Sequence, residues 1–245
     1  QKAQRNQVIK GAIPCTGAVM RVPINGGDLE VVAWGFRNPY GLALAPDGQI
    51  YVTNNSYDVR GSRPVWGTGD LLFKLEQDAW YGWPDYNGSI AITHLEIPGE
   101  EDPKKILVSD PGTPPEPVAS LGVHSSSNGI SFSTNGEFGF EGQAFIAQFG
   151  DMAPGVGKVL SPVGYRVVRV DVDSGIIEDF ATNRAKKNGP ASWLETGGLE
   201  RPVSVQFSPD GSALYITDFG ILATSKKGAN PVKNSGVVWK ITRQD

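Results

Sequence analysis

The chain has 245 residues, with 22 Lys and Arg against 26 Asp and Glu, a net charge of -4 and a single cysteine, Cys15. That balance argues against a nucleic-acid footprint, since no Lys/Arg stripe with interleaved aromatics is present. One cysteine excludes an intrachain disulfide framework, and no apolar run is long enough to cross a bilayer as a helix.

Thirty-one glycines and eighteen prolines, with no long helix-period segment, indicate a turn-rich all-β chain. In chain order, "AVMRVPI" and "LEVVAWG" form a first strand pair, over residues 17–35. "GLALA" and "IYVTN" follow, joined by Pro46-Asp47-Gly48. Proline presets φ, aspartate bonds nearby backbone and glycine tolerates positive φ, so this is a hairpin. "DLLFKL" and the aromatic "AWYGWP" segment are read as its outer pair. The cassette returns at 126–150 ("SSNGISFSTNGEFGFEGQAFIAQFG"), followed by "YRVVRVDV" and "GIIEDFA". It returns again at 201–220 ("RPVSVQFSPDGSALYITDFG"), followed by "GVVWKIT". The basic stretches "RAKKNG" and "TSKKGANPVKNSG" read as solvated loops between strands.

Two inner and two outer strands, repeated, are the unit of a propeller blade. The predicted fold is therefore an all-β propeller of four-stranded antiparallel blades in one domain over 1–245. Its blade-like units are approximately 36–118, 119–182 and 199–243, with 17–35 the outer strands of a preceding blade. "GLALA", "GISFS" and "VSVQF" are expected innermost or next to innermost. Three blades cannot close a ring, because propellers close with about 4–8. The chain also starts at Gln1 rather than Met. The expectation is a partial propeller, completed by upstream blades or another chain, whose open edges would otherwise aggregate or pair.

Zinc spacing, a nucleophile elbow and a phosphate loop are all missing from the sequence. Two histidines are present. His94, in "AITHLEIPG", reads as structural or solvated. His124, in "GVHSSSNGISF", falls near the strand start that Arg37 and Asn38 occupy in "WGFRNPYGLAL". It is open there as a proton acceptor, a ligand or a hydrogen-bonded filler. Of the clustered Trp80, Tyr81, Trp83 and Tyr86, Trp83 reads as packing, and Tyr86 is left open as a sugar-stacking residue.

"GFRNPYGLALAPDG", "WYGWP", "GQAFIAQFG", "LERPVSVQFSPDGSALYITDFG" and "SGVVWKITR" together resemble the C-terminal half of the quinoprotein glucose/sorbosone dehydrogenases. That resemblance covers nearly all of the chain. It implies a six-bladed ring, a periplasmic or secreted protein, and oxidation of a sugar hydroxyl or hydrated aldehyde by pyrroloquinoline quinone (PQQ) with calcium beside it. Electrons would pass to an acceptor such as a cytochrome or dye. By the same resemblance Arg37 and Asn38 contact the quinone, and Arg201 reaches a cofactor carboxylate. Three features depart from the family. Its calcium-holding Gly-Pro is absent, leaving Asn54, Asn55 and Asp58 as candidate oxygen donors. Its lysine after "FI" is missing, and Lys158 is the nearest replacement. Its catalytic histidine belongs to a blade before Gln1, so His124 is the candidate base within this chain. The alternative reading is a propeller that keeps the scaffold as a binding or assembly module. Arg37, Asn38, His124 and Arg201 are predicted to share one rim with Asn54, Gln148 and Asp218, because the start of one hairpin strand lies beside the end of its partner.

Overall fold

The computed structural model describes residues 17–58, 65–94, 103–109, 111–153 and 159–244. Lys158 and Cys15 lie outside the described residues, as does the side chain of His94.

The first sheet pairs β1 (Ala18–Arg21) with β2 (Glu30–Trp34). A four-stranded antiparallel sheet follows, in the order β3 (Pro39–Leu44), β4 (Ile50–Asn54), β5 (Gly69–Lys74), then β8 (Ala119–Val123). Between β5 and β8 lie the two-residue strands β6 (Tyr86–Asn87) and β7 (Ile90–Ala91) and a 3-10 turn, Ile92–His94. The second four-stranded sheet runs β9 (Ser127–Phe132), β10 (Ala144–Gln148), β11 (Arg166–Val170), β12 (Ile177–Ala181). A one-turn helix, α1 (Ala191–Leu194), leads to the third sheet. That sheet has three strands among the described residues: β13 (Pro202–Phe207), β14 (Ala213–Asp218) and β17 (Val237–Thr242). The hairpin β15 (Leu222–Ser225) and β16 (Gly228–Pro231) is inserted between β14 and β17.

This is a β-propeller architecture, and β3, β9 and β13 are the innermost strands, with β3 and β13 packed against β9. Glycine sets how closely they approach. A Cβ on Gly41 would stand 2.3 Å from the carbonyl oxygen of Asn128, and one on Gly129 would stand 2.6 Å from Cα of Ser204. Strand β10 is buried on both faces and β11 is buried or half-buried on both, which explains the continuous apolar runs in "AFIA" and "RVVRV". Ala144 and Ile146 of β10 face Tyr51, Leu72, Leu121 and Phe132, between the first and second blades. Phe145 and Ala147 face Val205, Phe207, Leu214 and Ile216, between the second and third. Phe36, Val52, Phe73 and Tyr81 fill the space beside the β1–β2 sheet, with Phe36 stacked on Tyr81 at 4.3 Å.

Three sequence expectations are corrected. The fourth strand of the first blade is β8, whose Gly69↔Val123 and Leu72↔Ala119 pairs complete the sheet, and not "AWYGWP". That blade therefore takes in residues assigned to the 119–182 unit, and the second blade begins at Ser127. "AWYGWP" instead crosses to the preceding sheet. The Ala79 carbonyl accepts from the Trp34 amide, the Tyr81 amide donates to the Trp34 carbonyl, and the Trp83 amide donates to the Gly35 carbonyl. Its aromatic rings suit it to packing there: Trp80 lies against Trp34 and Tyr86, and Trp83 against Tyr57, Val65 and Ile92. Finally, "TSKKGANPVKNSG" is not all loop, since Thr224 and Ser225 pair with Ala229 and Gly228.

Candidate functional site at the rim

The innermost hairpins carry the site. Pro39 pairs with Asn54, Ser127 with Gln148, and Pro202 with Asp218, so each first strand starts beside the end of its second. In two blades the side chain ending the second strand caps the start of the first. Asn54 Oδ1 accepts from the Asn38 amide at 3.0 Å. Asp218 accepts from the Glu200 and Arg201 amides, both at 2.8 Å, and from Gly220 at 2.9 Å. Gln148 acts differently. It donates to the Leu121 carbonyl and to Ser127 Oγ, and accepts from Arg166 Nε.

A cavity of about 150 Å³ opens at this rim between the first and second blades. Arg37, Asn38, Asn55, Ser56, Asp58, Asp70, His124, Ser126 and the Gly150–Met152 segment line it. The structure thus brings Arg37, Asn38, Asn55, Asp58 and His124 together. Arg37 Nη2 donates to Asp58 Oδ2 at 2.7 Å, with both side chains partly exposed. Asn55 Nδ2 donates to Asn128 Oδ1. Asn54 is buried behind the wall with its oxygen engaged by Asn38, so among the metal candidates Asn55 and Asp58 are the ones that face the cavity.

Two candidates lie elsewhere. Tyr86 packs edge-on against Trp80, and its carbonyl accepts from the Tyr57 hydroxyl. Arg201 is 1% exposed and does not line the cavity. Its guanidinium lies over the rings of Phe149 (4.8 Å) and Tyr165 (5.0 Å), and Nη1 donates to the carbonyls of Phe149, Gly150 and Asp151. It supports the cavity wall from behind. Nη2 is buried and has no hydrogen-bond partner among the described residues. Tyr165 also holds this wall, donating to the Asp151 carbonyl at 2.8 Å. Burial raises its phenol above the ordinary value, and the neighbouring Arg201 charge opposes that rise.

Two buried carboxylates that line the cavity were not singled out from sequence. Asp151 accepts from the amides of Ala153 and Val163 and from the Tyr165 hydroxyl. Asp70, at the start of β5, is 3% exposed. Its Oδ1 accepts from the Ser56 amide at 3.0 Å, and its Oδ2 accepts from Ser125 Oγ and the Ser127 amide, both at 2.9 Å. Burial raises its pKa, against the lowering effect of those hydrogen bonds and of the His124 charge. The only sequence signal was an acid opening an otherwise apolar strand.

Comparison with known proteins bears on the fold. No family model matches the chain. A protein of Borreliella burgdorferi described as uncharacterized is 26% identical over 196 residues, which are 78% of this chain and 47% of that protein. Among solved structures, a glucose dehydrogenase superposes with a TM-score of 0.56 at 21% identity, over 94% of this chain and 56% of that one. The PQQ-bound form of an aldose sugar dehydrogenase from Streptomyces coelicolor gives 0.52 at 17% identity, over 91% and 51%. The holo form of the pyranose dehydrogenase PQQ domain from Coprinopsis cinerea gives 0.56 at 20% identity, over 93% and 61%. The fold is that of the quinoprotein sugar dehydrogenase propellers. The chain spans roughly half the length of the proteins it matches. Among the described residues no helix is long and apolar enough to cross a membrane, and no group of three or more His, Cys, Asp or Glu clusters as a metal site.

Proposed function

We propose that this chain is part of a PQQ-dependent sugar or aldehyde dehydrogenase, acting outside the cytoplasm with calcium as second cofactor. The observation that carries the reading is the convergence of Arg37, Asn38, Asn55, Asp58 and His124 on one rim cavity, in a fold shared with PQQ-bound sugar dehydrogenases.

The donor set fits the group in kind. A tricarboxylate quinone needs a cation and directed amide donors, and Arg37 with Asn38 offers both. Asn55 and Asp58 offer hard oxygen atoms for calcium. Arg201 keeps one buried guanidinium donor unengaged, and the sequence resemblance assigns that arginine to a cofactor carboxylate. The cavity is smaller than the several hundred Å³ usual for cofactor sites, so further blades would supply the remaining walls. When bound, the quinone would accept two electrons from the oxidised carbon and later yield them to a cytochrome or dye. Within this chain, Arg37 would orient the ligand while Asp58 holds the guanidinium in place. His124 is the imidazole in the cavity and the candidate to take the hydroxyl proton there.

The second reading is a binding or assembly module. The observation favouring it is that Asp58, Asp70 and Asp151 line the cavity against Arg37, which is already ion-paired. Reconstituting the complete protein with quinone and calcium, then assaying dye reduction over a sugar panel, tests the first reading. Replacing Arg37 with alanine is expected to weaken quinone binding by about 2 kcal/mol, since a charge-assisted contact is lost. Unchanged affinity in a titration of that variant favours the module.

A further inference from the structure

We propose that Asp70 is the positioning residue of the rim cavity: its one carboxylate fixes both facing walls and holds His124 toward the space between them. This deepens the dehydrogenase reading and rests on it for the role of His124, but the geometry stands without a cofactor.

Asp70 sits in the first blade and reaches into the second. Its Oδ1 ties down Ser56, in the segment that follows β4 and carries Asn55 and Asp58. Its Oδ2 ties down Ser125 and Ser127, which flank the start of β9. Ser125 Oγ also lies 2.9 Å from Ser127 Oγ, and Gln148 Nε2 donates to Ser127 Oγ at 3.2 Å. Asp70, Ser125, Ser127 and Gln148 are all buried, so water does not compete for these bonds.

The turn they hold is strained. His124 has φ of 58° and Ser126 has φ of 51°. Side chains other than glycine rarely occupy this left-handed region, and such geometry persists where the surroundings over-determine it. Here the constraints are the Asp70 carboxylate on Ser125 and Ser127, and the amides of Phe149 and Gly150, which donate to the carbonyls of Ser126 and Ser125. Without the acceptor, the Ser56 and Ser127 amides would be buried donors with nothing to bind, and the turn would be free to relax. The charged groups facing this space are Arg37, Asp58, Asp151 and His124. None of them supplies a second acceptor for those amides.

The test is amide NMR on the ¹⁵N-labelled full-length protein, without quinone or sugar. In Asp70→Asn the side-chain oxygen still serves one of the two amides and the NH2 faces the other, so hydrogen exchange at whichever of Ser56 and Ser127 meets the NH2 is expected to accelerate about tenfold or more, as expected when a buried hydrogen bond is lost. The three-bond coupling constants of His124 and Ser126 should leave their left-handed values, while exchange in β10 and β11 stays unchanged. Ser125→Ala keeps the carboxylate and removes one donor. It is expected to shift His124 less, and it serves as the readout if Asp70→Asn does not fold. In the reconstituted enzyme, Asp70→Asn is expected to lower kcat and to weaken quinone affinity as well, because the segment carrying Asn55 and Asp58 is released along with the His124 turn. Unchanged coupling at His124 and Ser126, with unchanged exchange at both Ser56 and Ser127, in a folded Asp70→Asn protein overturns the proposal. A parent protein that never oxidises sugar refutes the dehydrogenase reading and leaves the NMR result intact.

Discussion

Replacing Gly129 with alanine tests whether bare backbone sets the spacing of the inner strands. Gly129 has an ordinary strand conformation, so the cost is steric and not φ strain. The added methyl would stand 2.6 Å from Cα, 2.7 Å from Oγ and 2.9 Å from Cβ of Ser204. The first of these is main chain on a β13 strand fixed by its ladder to β14, so no rotamer change removes it. Overpacking of this kind costs about 3 kcal/mol when backbone must yield. For a chain of this size that lowers Tm by about 6–12 °C. Urea unfolding followed by tryptophan fluorescence on the complete protein should show a lower midpoint with unchanged m. Adding Ser204→Gly removes the Oγ and Cβ clashes and leaves the main-chain clash, so it is expected to restore part of the loss and not all of it. A Gly129→Ala protein within about 0.5 kcal/mol of the parent would refute the argument, since that is the scatter of neutral substitutions.

Two further outcomes follow from titrating groups. Asp210, in the last Pro-Asp-Gly turn, accepts from Ser208 and Ser212, which lower its pKa from 3.8 to about 2. A depressed carboxylate contributes stability that is present above the unfolded value and lost as pH falls. Between about pH 4 and 2 the parent should therefore lose more stability than Asp210→Ala, as urea midpoints would register. The Tyr81 phenol is pushed up to about 12 by burial. Its hydroxyl donates to the Lys74 carbonyl and accepts from the Glu76 amide. The unfolded phenol ionises near pH 10, so stability is expected to fall between pH 10 and 12, and Tyr81→Phe should fall less. Ultraviolet difference titration would detect the late ionisation.

Much of the fold was legible because its turns are local. Pro46-Asp47-Gly48 and Pro209-Asp210-Gly211 declare hairpins whose strands are adjacent in sequence, and the innermost strands followed from them. The fourth strand of the first blade was not legible. "ASLGV" has little β-branched character, follows a proline-rich stretch, and is a strand because β5 is there to pair with it. "AWYGWP" misled for the opposite reason: it is rich in β-formers, yet its rings serve packing against Trp34 and Tyr57. At the site, strand-start logic brought Arg37, Asn38 and His124 to one rim. It could not give side-chain direction, so Arg201 was placed at the rim with no sign that it turns toward the carbonyls of 149–151. Asp70 was missed because its burial is created by two loops from different blades.

The late arrival of β8 bears on the order in which the chain can fold. About 45 residues separate Lys74 from Ala119, against about 5 in the hairpin turn between β3 and β4, and closing the longer loop costs about 2 kcal/mol more in chain entropy. The second blade draws all its strands from Ser127 to Ala181, with much shorter connections. On loop entropy alone the second blade closes more cheaply than the first. During synthesis the first three strands of the leading blade wait, their outer edge unpaired, until Val123 has left the ribosome.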